Sequence, residues 1–570
     1  MEQRRGPIEQ WVPGLRTART YQRSWLRRDV VAGVVLAAIL VPQGMAYAEL
    51  AGLPAVTGLY TTVACLVGYA VFGPSRVLVL GPDSSVSPLI LAAIVPLLAG
   101  GGPDKAIALA GMLALTVGVI EIVLGVARFG FVADLLSNEV QIGYMNGLAV
   151  IIVVGQLPKL FGFSTSADTF IGEVRAFVNG LDQTQVNTLL VGVGTLLVLL
   201  LLPRVSRRVP AVLVAVVGAT VASAIFDLSS AGVATVGSLP HGVPSPSIPW
   251  THVNDLVPLV VAAVGITLVS LTDTIATASS FAARRGEEVR PDQEMIGIGA
   301  ANVVAGFFQG FAVSTSGSRS AVAEQSGART QVSNLVGAGL VVVLLVFLNS
   351  LLSDLPQATL AAVVIAAALS LVNVRALRRY YQARKSAVLI SLVATAGVIL
   401  LGILEGIVVA IGLSVLLVFR RSWWPDGHAL GRIDGVEGWH SRDRHPEARG
   451  LPGVVVYRWE APLFFANAGA FREQIRRLVR EQRPQWIVLQ CEAITDVDVT
   501  AAEMLEQLDN ELNAAGIHLM FAELRSRLQD LTLRYGLMRT LDREHFYPTL
   551  EAALEAVSAL RSQAASRARA

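Results

Sequence analysis

Asp273 and Arg319 are the residues whose chemistry is hardest to explain by solvation alone. Asp273 lies in the apolar stretch 256–283, and Arg319 lies in Gly310-Phe-Ala-Val-Ser-Thr-Ser-Gly-Ser-Arg-Ser320. A carboxylate in the middle of a membrane helix is costly, so a functional role is the default reading. Asp273 either binds sodium, carries a proton or serves as the structural partner of a distant Arg. Thr277, one turn further on, brings a hydroxyl beside it. Arg319 supplies a full charge that does not deprotonate. Ser318 adds a neutral donor, as do Ser84 and Ser85 in a second interruption, Val77-Leu-Val-Leu-Gly-Pro-Asp-Ser-Ser85. Each interruption opens with extended-type residues, passes through Gly, Pro or Ser and resumes as a helix. A dehydrated anion needs hydrogen-bond donors, and the free N–H groups at a helix start supply them with about half a positive charge. The expected site therefore lies between two such starts, at Ser84, Ser85, Ser318 and Arg319. Two bland readings remain for Arg319, a pair with Asp273 or a structural anchor. Asp83 competes with an anion for the same N–H groups, unless it is only a cap facing away.

The elements that position these residues are membrane helices. Of 570 residues 53% are hydrophobic and 15% charged, and the mean hydropathy of +0.58 excludes a chain of ordinary soluble domains. Uncharged runs recur at 30–48, 50–75, 84–103, 183–203, 295–318, 330–353, 355–374 and 386–404, several reaching the roughly 20 residues of a spanning helix. About fourteen segments of unequal length are expected between Asp29 and Arg421. The two interruptions are too far apart along the chain to be neighbours, yet they hold comparable places in halves that divide near residue 250. Irregular backbone at membrane depth survives only against protein or a water-filled cavity, and paired interruptions mark a transport site built from half-helices. Lys and Arg collect at 4–28, 128, 204–208, 284–290, 375–385 and 420–421, whereas 227–255, 349–356 and 402–405 carry none. This asymmetry places both termini in the cytoplasm. The polar, Arg-rich start does not read as a cleaved signal peptide. Glu49, Glu121, Asp134 and Glu405 lie near predicted span ends, where solvation or capping accounts for them.

Past Arg421 the pattern changes. Residues 422–451 read as an interface and linker, and a soluble α/β domain of roughly 100 residues follows. Strands are expected at 454–457, 486–490 and 517–522, and helices at 470–481, 500–515, 525–535 and 550–560. Cys65 and Cys491 give no disulfide framework, no histidine motif suggests a metal, and no Walker-type loop appears. An enzyme is the least favoured class, for want of a nucleophile and base set.

The chain resembles the SulP sulfate-permease family, which includes animal anion exchangers, and the resemblance spans nearly all of it. It is carried by Gly33-Val-Val-Leu-Ala-Ala-Ile-Leu-Val-Pro-Gln-Gly-Met-Ala-Tyr-Ala48, Gly143-Tyr-Met-Asn-Gly147, Phe281-Ala-Ala-Arg-Arg-Gly286, Gly299-Ala-Ala-Asn302 and Gly327-Ala-Arg-Thr-Gln331. The soluble part resembles the family's STAS domain through Phe464-Phe-Ala-Asn-Ala468 and Asp498-Val-Thr500. The resemblance implies an α-helical membrane protein, a fourteen-segment inverted repeat (7+7) of the uracil-permease type, whose third and tenth segments enter as half-helices. It also implies that Gln43 lines the anion cavity, against the bland reading of helix repair beside Pro42; Tyr47, one turn later on the same face, either lines the cavity too or only packs. Asp273 and Thr277 match positions that bind the coupling cation in sodium-driven bicarbonate members. Thr500 matches a residue phosphorylated in bacterial anti-sigma-factor antagonists that share the STAS fold, although a hydroxyl opening a helix is also an ordinary cap.

The expected layout is a cytoplasmic segment 1–28, a transporter domain 29–421, a linker 422–451, a STAS domain 452–560 and a tail 561–570. The expected activity is secondary active transport of a small oxyanion, sulfate or bicarbonate first and a dicarboxylate third. The competing classes are an exchanger or channel-like member of the same fold and a STAS-linked membrane sensor. No cofactor is expected beyond sodium or a proton as coupling ion. The expected partners are the anion, membrane lipid and a second copy in a homodimer, in the plasma membrane and without nucleic acid.

Overall fold

The computed structural model describes residues 11–567 apart from 99, 132–135, 166, 168, 207–209, 241, 526–527, 529, 531–534 and 536–544. Asp134 and most of the helix expected at 525–535 lie outside the described residues. Two compact units divide between Ser414 and Val415.

The membrane part is a succession of apolar helices, the last of which crosses the division between the units. They are α1 (Arg23–Leu50), α2 (Ala55–Phe72), α3 (Ser87–Leu98), α4 (Pro103–Val126), α5 (Asn138–Phe161), α6 (Val186–Val205) and α7 (Ala211–Phe226), then α8 (Val253–Arg285), α9 (Pro291–Phe307), α10 (Gly317–Gln325), α11 (Val332–Phe347), α12 (Gln357–Leu371), α13 (Lys385–Leu401) and α14 (Ile403–Trp423). The order is the expected inverted repeat, α1–α7 followed by α8–α14. Eight spans among the described residues are long and apolar enough to cross a membrane, and α3, α7, α11 and α13 are shorter apolar helices. The first helix starts at Arg23, ahead of the expected boundary at Asp29. Helices Phe170–Asn179 and Val374–Ala383 bury none of their residues and connect the longer elements. α4 packs along α9, α1 against α2 and α11, and α5 against α12 and α13. The α4–α9 contact is backbone to backbone. A Cβ on Gly118 falls 2.6 Å from the Gly299 carbonyl oxygen, so any side chain there separates the helices.

The two interruptions, far apart along the chain, are neighbours in space, as a site between their two helix starts requires. Leu80–Gly81 (β1) and Ser314–Thr315 (β2) pair antiparallel, Leu80 opposite Thr315 and Gly81 opposite Ser314. Several of their backbone groups are met by side chains, as irregular backbone at membrane depth requires. Asn302 Oδ1 accepts from the Val313 N–H at 2.8 Å, Thr61 Oγ1 from Phe311 N–H at 3.2 Å, and Ser320 Oγ from Val79 N–H at 2.9 Å. Gln331 and Asn334 side-chain amides donate to the Leu78 carbonyl at 3.0 and 2.8 Å.

Two carboxylates belong to this scaffold. Glu121 is fully buried and accepts from Asn302 Nδ2 at 2.8 Å, so it is not the solvated helix-end residue expected; Asn302 bridges it to β2. Asp29 is also fully buried and accepts from the N–H groups of Arg329 and Thr330 at 2.7 and 3.2 Å and from the Thr330 hydroxyl at 2.8 Å. It fastens α1 to the turn before α11.

The second unit contains a six-stranded sheet of order β4-β3-β5-β6-β7-β8. Its strands are β3 (Gly427–Ile433), β4 (Val436–Ser441), β5 (Val454–Trp459), β6 (Trp486–Gln490), β7 (His518–Ala522) and β8 (Phe546–Tyr547), with helices α15 (Ala468–Gln482), α16 (Val499–Ala514) and α17 (Leu550–Arg567). β5 to β8 run parallel, while β3 pairs antiparallel with β4 and β5. Alternation along β5 feeds two cores. Val455, Tyr457 and Trp459 pack with Phe471, Ile475 and Leu508, whereas Val454 and Val456 pack with Met520, Ala553 and Val557. The segment expected as a linker instead contributes two strands to the sheet. The expected tail is helical as far as Arg567, where α17 ends.

Candidate functional site

The β1–β2 pair sets two half-helices start to start. α10 begins after Ser316, whose hydroxyl accepts from the Arg319 N–H at the long distance of 3.5 Å and lies 3.1 Å from Ser318 Oγ. α3 begins at Ser87, so Ser84 and Ser85 sit in the turn before it. Asp83 Oδ2 accepts from the Ser85 N–H at 3.0 Å and from Ser85 Oγ at 2.9 Å. The expected cap is therefore present, but it does not face away. Asp83 Oδ1 lies 3.7 Å from Arg319 Nη2.

Arg319 is 1% exposed, and its Nε, Nη1 and Nη2 have no hydrogen-bonding partner in the protein. A buried guanidinium without acceptors is a poor structural anchor, since it bears the full cost of its unmet donors. The arginine is paired by charge with Asp83, not with Asp273 as one reading had it. A Cβ at residue 81 would fall 2.6 Å from Nη1, so glycine there leaves the guanidinium in its present position.

A cavity of about 460 Å³ opens beside it, lined by Gln43, Ser318, Arg319, Val35, Ile39 and the first residues of α7. Gln43 Oε1 is buried and unpartnered. Tyr47 is buried one turn further along α1, and its hydroxyl reaches the Ser84 side chain. The structure thus brings Gln43, Tyr47, Ser84, Ser85, Ser318 and Arg319 to one place.

Asp273 stands next to this group on α8. Gln141 Nε2 donates to its Oδ1 at 3.3 Å, and the Ser85 side chain also reaches it. Thr277 is one turn on and faces the start of α10, where a Cβ on Gly317 would lie 3.9 Å from its Oγ1. A carboxylate with hydroxyls around it suits a hard cation or a proton. Sequence reasoning missed Gln141, which comes from the other half of the repeat, and the Glu121–Asn302 support beneath β2.

Thr500 lies in the second unit and takes no part in this site. The α16 cap is Asp498, whose Oδ1 accepts from the Ala501 N–H at 2.8 Å while its Oδ2 accepts from Phe465 N–H at 2.8 Å. Thr500 is exposed, inside the first turn and not at the cap.

The chain is similar to a Mycobacterium tuberculosis protein named as a probable sulfate transporter, 40% identical over 96% of this chain and 98% of that one. It is also similar to sulfate transporter 4.1 of Arabidopsis thaliana, 28% identical over 96% of this chain and 82% of that one. Among solved structures, the murine solute carrier 26 family member A9 anion transporter superposes with a TM-score of 0.87 at 22% identity, over 98% of this chain and 96% of that one. The membrane domain of the cyanobacterial bicarbonate transporter BicA superposes with a TM-score of 0.61 at 23% identity, over 69% of this chain and 98% of that one. These two share the fold. The sulfate permease family model matches residues 26–394 and the STAS domain model residues 445–553. The chain therefore belongs to the sulfate permease family of membrane anion transporters and carries a C-terminal STAS domain.

Proposed function

We propose that this protein moves a small oxyanion, sulfate or bicarbonate, across the plasma membrane by alternating access, driven by sodium or protons through Asp273. The observation that carries the reading is the buried Arg319 with its three unpartnered nitrogens, lining a cavity with Gln43 and Ser318. A guanidinium presents a planar fork of donors that matches a carboxylate-like or sulfate-like oxyanion, and charge-assisted bonds of this kind are the strong ones. Ser84, Ser318 and the half-helix starts add donors of no net charge, with Ser85 holding Asp83 in place and Tyr47 packed beside Ser84. Asp273 and Thr277 hold the coupling ion close enough for its charge to favour the anion.

The cavity leads along Val35 and Ile39 to Pro210 and Ala211 on one side and to Gln325 and Ser326 on the other. Pro210 and Ala211 open the helix that follows Arg204, and the positive-inside pattern of the sequence supports access from the cytoplasm. The opposite end is tied by Glu49 of α1 and Lys159 of α5 at 3.7 Å. The STAS domain lies on the cytoplasmic side and modulates transport without forming the site, and the working unit is a homodimer. The test is uptake of labelled sulfate and labelled bicarbonate into proteoliposomes, with and without sodium and proton gradients. Accumulation of either anion above equilibrium on one gradient supports the proposal. Purified, folded protein that moves neither anion refutes it in favour of a membrane-anchored sensor.

A further inference from the structure

Arg319 and Asp83 form an unequal pair. The arginine is enclosed and none of its three side-chain nitrogens has a hydrogen-bonding partner in the protein. One oxygen of Asp83 is already committed to the N–H and hydroxyl of Ser85. Its other oxygen faces Arg319 Nη2 at 3.7 Å, close enough to balance charge and too far for an N–H···O bond. The carboxylate therefore answers the charge of the guanidinium but not its donors. We infer that Asp83 is a tethered counter-anion of Arg319, displaced electrostatically by the transported oxyanion, and that it sets both the affinity of the site and its preference between mono- and divalent anions.

The inference rests on Arg319 being the anion's ligand. A carboxylate is itself a planar oxyanion, so Asp83 presents to Arg319 the same chemistry as the substrate. Its tether to Ser85 stops it from closing to the separation of about 2.7–2.9 Å that a charge-assisted bond takes. A free oxyanion entering past Gln43 and Ser318 is under no such restraint and takes the donors. It then sits beside Asp83, with Asp273 behind, and is repelled by both. When the anion leaves, Asp83 keeps Arg319 from being an uncompensated buried charge. Coulomb repulsion scales with the product of the charges, so a dianion is opposed twice as strongly as a monoanion at equal distance. Neutralising Asp83 therefore favours sulfate over bicarbonate.

The test uses the full chain in lipid nanodiscs, titrated at constant pH with sulfate and with bicarbonate. Asp83→Asn is expected to tighten sulfate binding by about ten- to one-hundred-fold, the span of one charge-assisted interaction, and bicarbonate binding by less. Anion exchange should slow as release becomes limiting. In an Arg319→Ala background the same change should give a clearly smaller gain, since only the direct repulsion is then left to remove. If Asp83→Asn fails to fold, Asp83→Ser keeps a hydroxyl acceptor for the Ser85 N–H and carries the same expectation. Unchanged or weaker binding in a variant that melts like the parent overturns the inference while leaving the Arg319 site standing. An equal gain without Arg319 overturns it too, because the effect is then a diffuse field. If the parent binds neither anion, the proposed function fails and this inference fails with it.

Discussion

The two half-helix arms, β1–α3 and β2–α10, occupy matching places in the two repeats and share a strand pairing, yet they carry opposite charges to the same point. The first brings Asp83 with Ser84 and Ser85, and the second brings Arg319 with Ser316 and Ser318. A strictly symmetrical site would have two equal helix dipoles and no fixed charge. This one is polarised, with a cation fixed on one arm and a tethered acid on the other. The arms differ in support as well. β2 is held from below by Asn302 and Glu121, while the segment before β1 is held by Gln331 and Asn334 from α11 and the turn before it.

The comparison sharpens most at the neighbouring carboxylate. Asp273→Asn preserves shape and removes charge, and it is expected to abolish gradient-driven accumulation while anion binding and passive exchange persist. Isotope uptake against an imposed gradient decides this, and a variant that still concentrates substrate removes Asp273 from the coupling role. Gly81→Ala is next in size. Its methyl meets Arg319 Nη1 at 2.6 Å and forces the guanidinium out of register, so anion affinity should drop by about ten-fold, one charged hydrogen bond's worth. Gly317→Ala has nothing nearer than 3.9 Å and serves as the control on the other arm; equal losses in both erase the asymmetry argued here. Asn302→Leu removes the brace under β2 and takes from Glu121 its bond to Asn302, which should cost about 1–3 kcal/mol of stability, read as a lowered melting temperature. A matching loss in the Gln331→Leu variant shows that the arms are braced equally. The smallest effect is expected from deleting the STAS domain. Transport rate and stability should change, but equilibrium anion binding should not, since that site is built from the membrane domain alone.

Much of this was legible in the sequence because membrane depth makes polar residues conspicuous. Hydropathy outlined the spans, and Arg319, Asp273 and the paired interruptions stood out against uncharged surroundings. The β1–β2 pairing was not legible, because strands of two residues show no alternation and nothing along the chain links residue 80 to residue 315. Glu121 and Asp29 were hidden for the opposite reason. Near a helix end an acid resembles a solvated cap, and only the packing of α4 on α9, or of the Thr330 turn on α1, shows that it is buried. The hairpin in the presumed linker had a signal that a reading for charge and polarity passes over. Asp434–Gly435 connects Ile433 of β3 to Val436 of β4, with Gly435 at φ +79°, and an Asp-Gly pair between strand-like runs is a strong hairpin mark.

The central claim, that the anion is held by Arg319 between the two arms, is tested most directly by titrating Arg319→Ala with sulfate and bicarbonate while following its melting in the absence of anion. Losing a charged hydrogen bond removes about 1.5 to 3 kcal/mol of binding, so affinity should fall by an order of magnitude or more. Melting without anion should change little, because the arginine makes no hydrogen bond in the protein for its side chain to lose and Asp83 keeps its bonds to Ser85. Unchanged affinity together with a large loss of stability contradicts the account and makes Arg319 a structural residue.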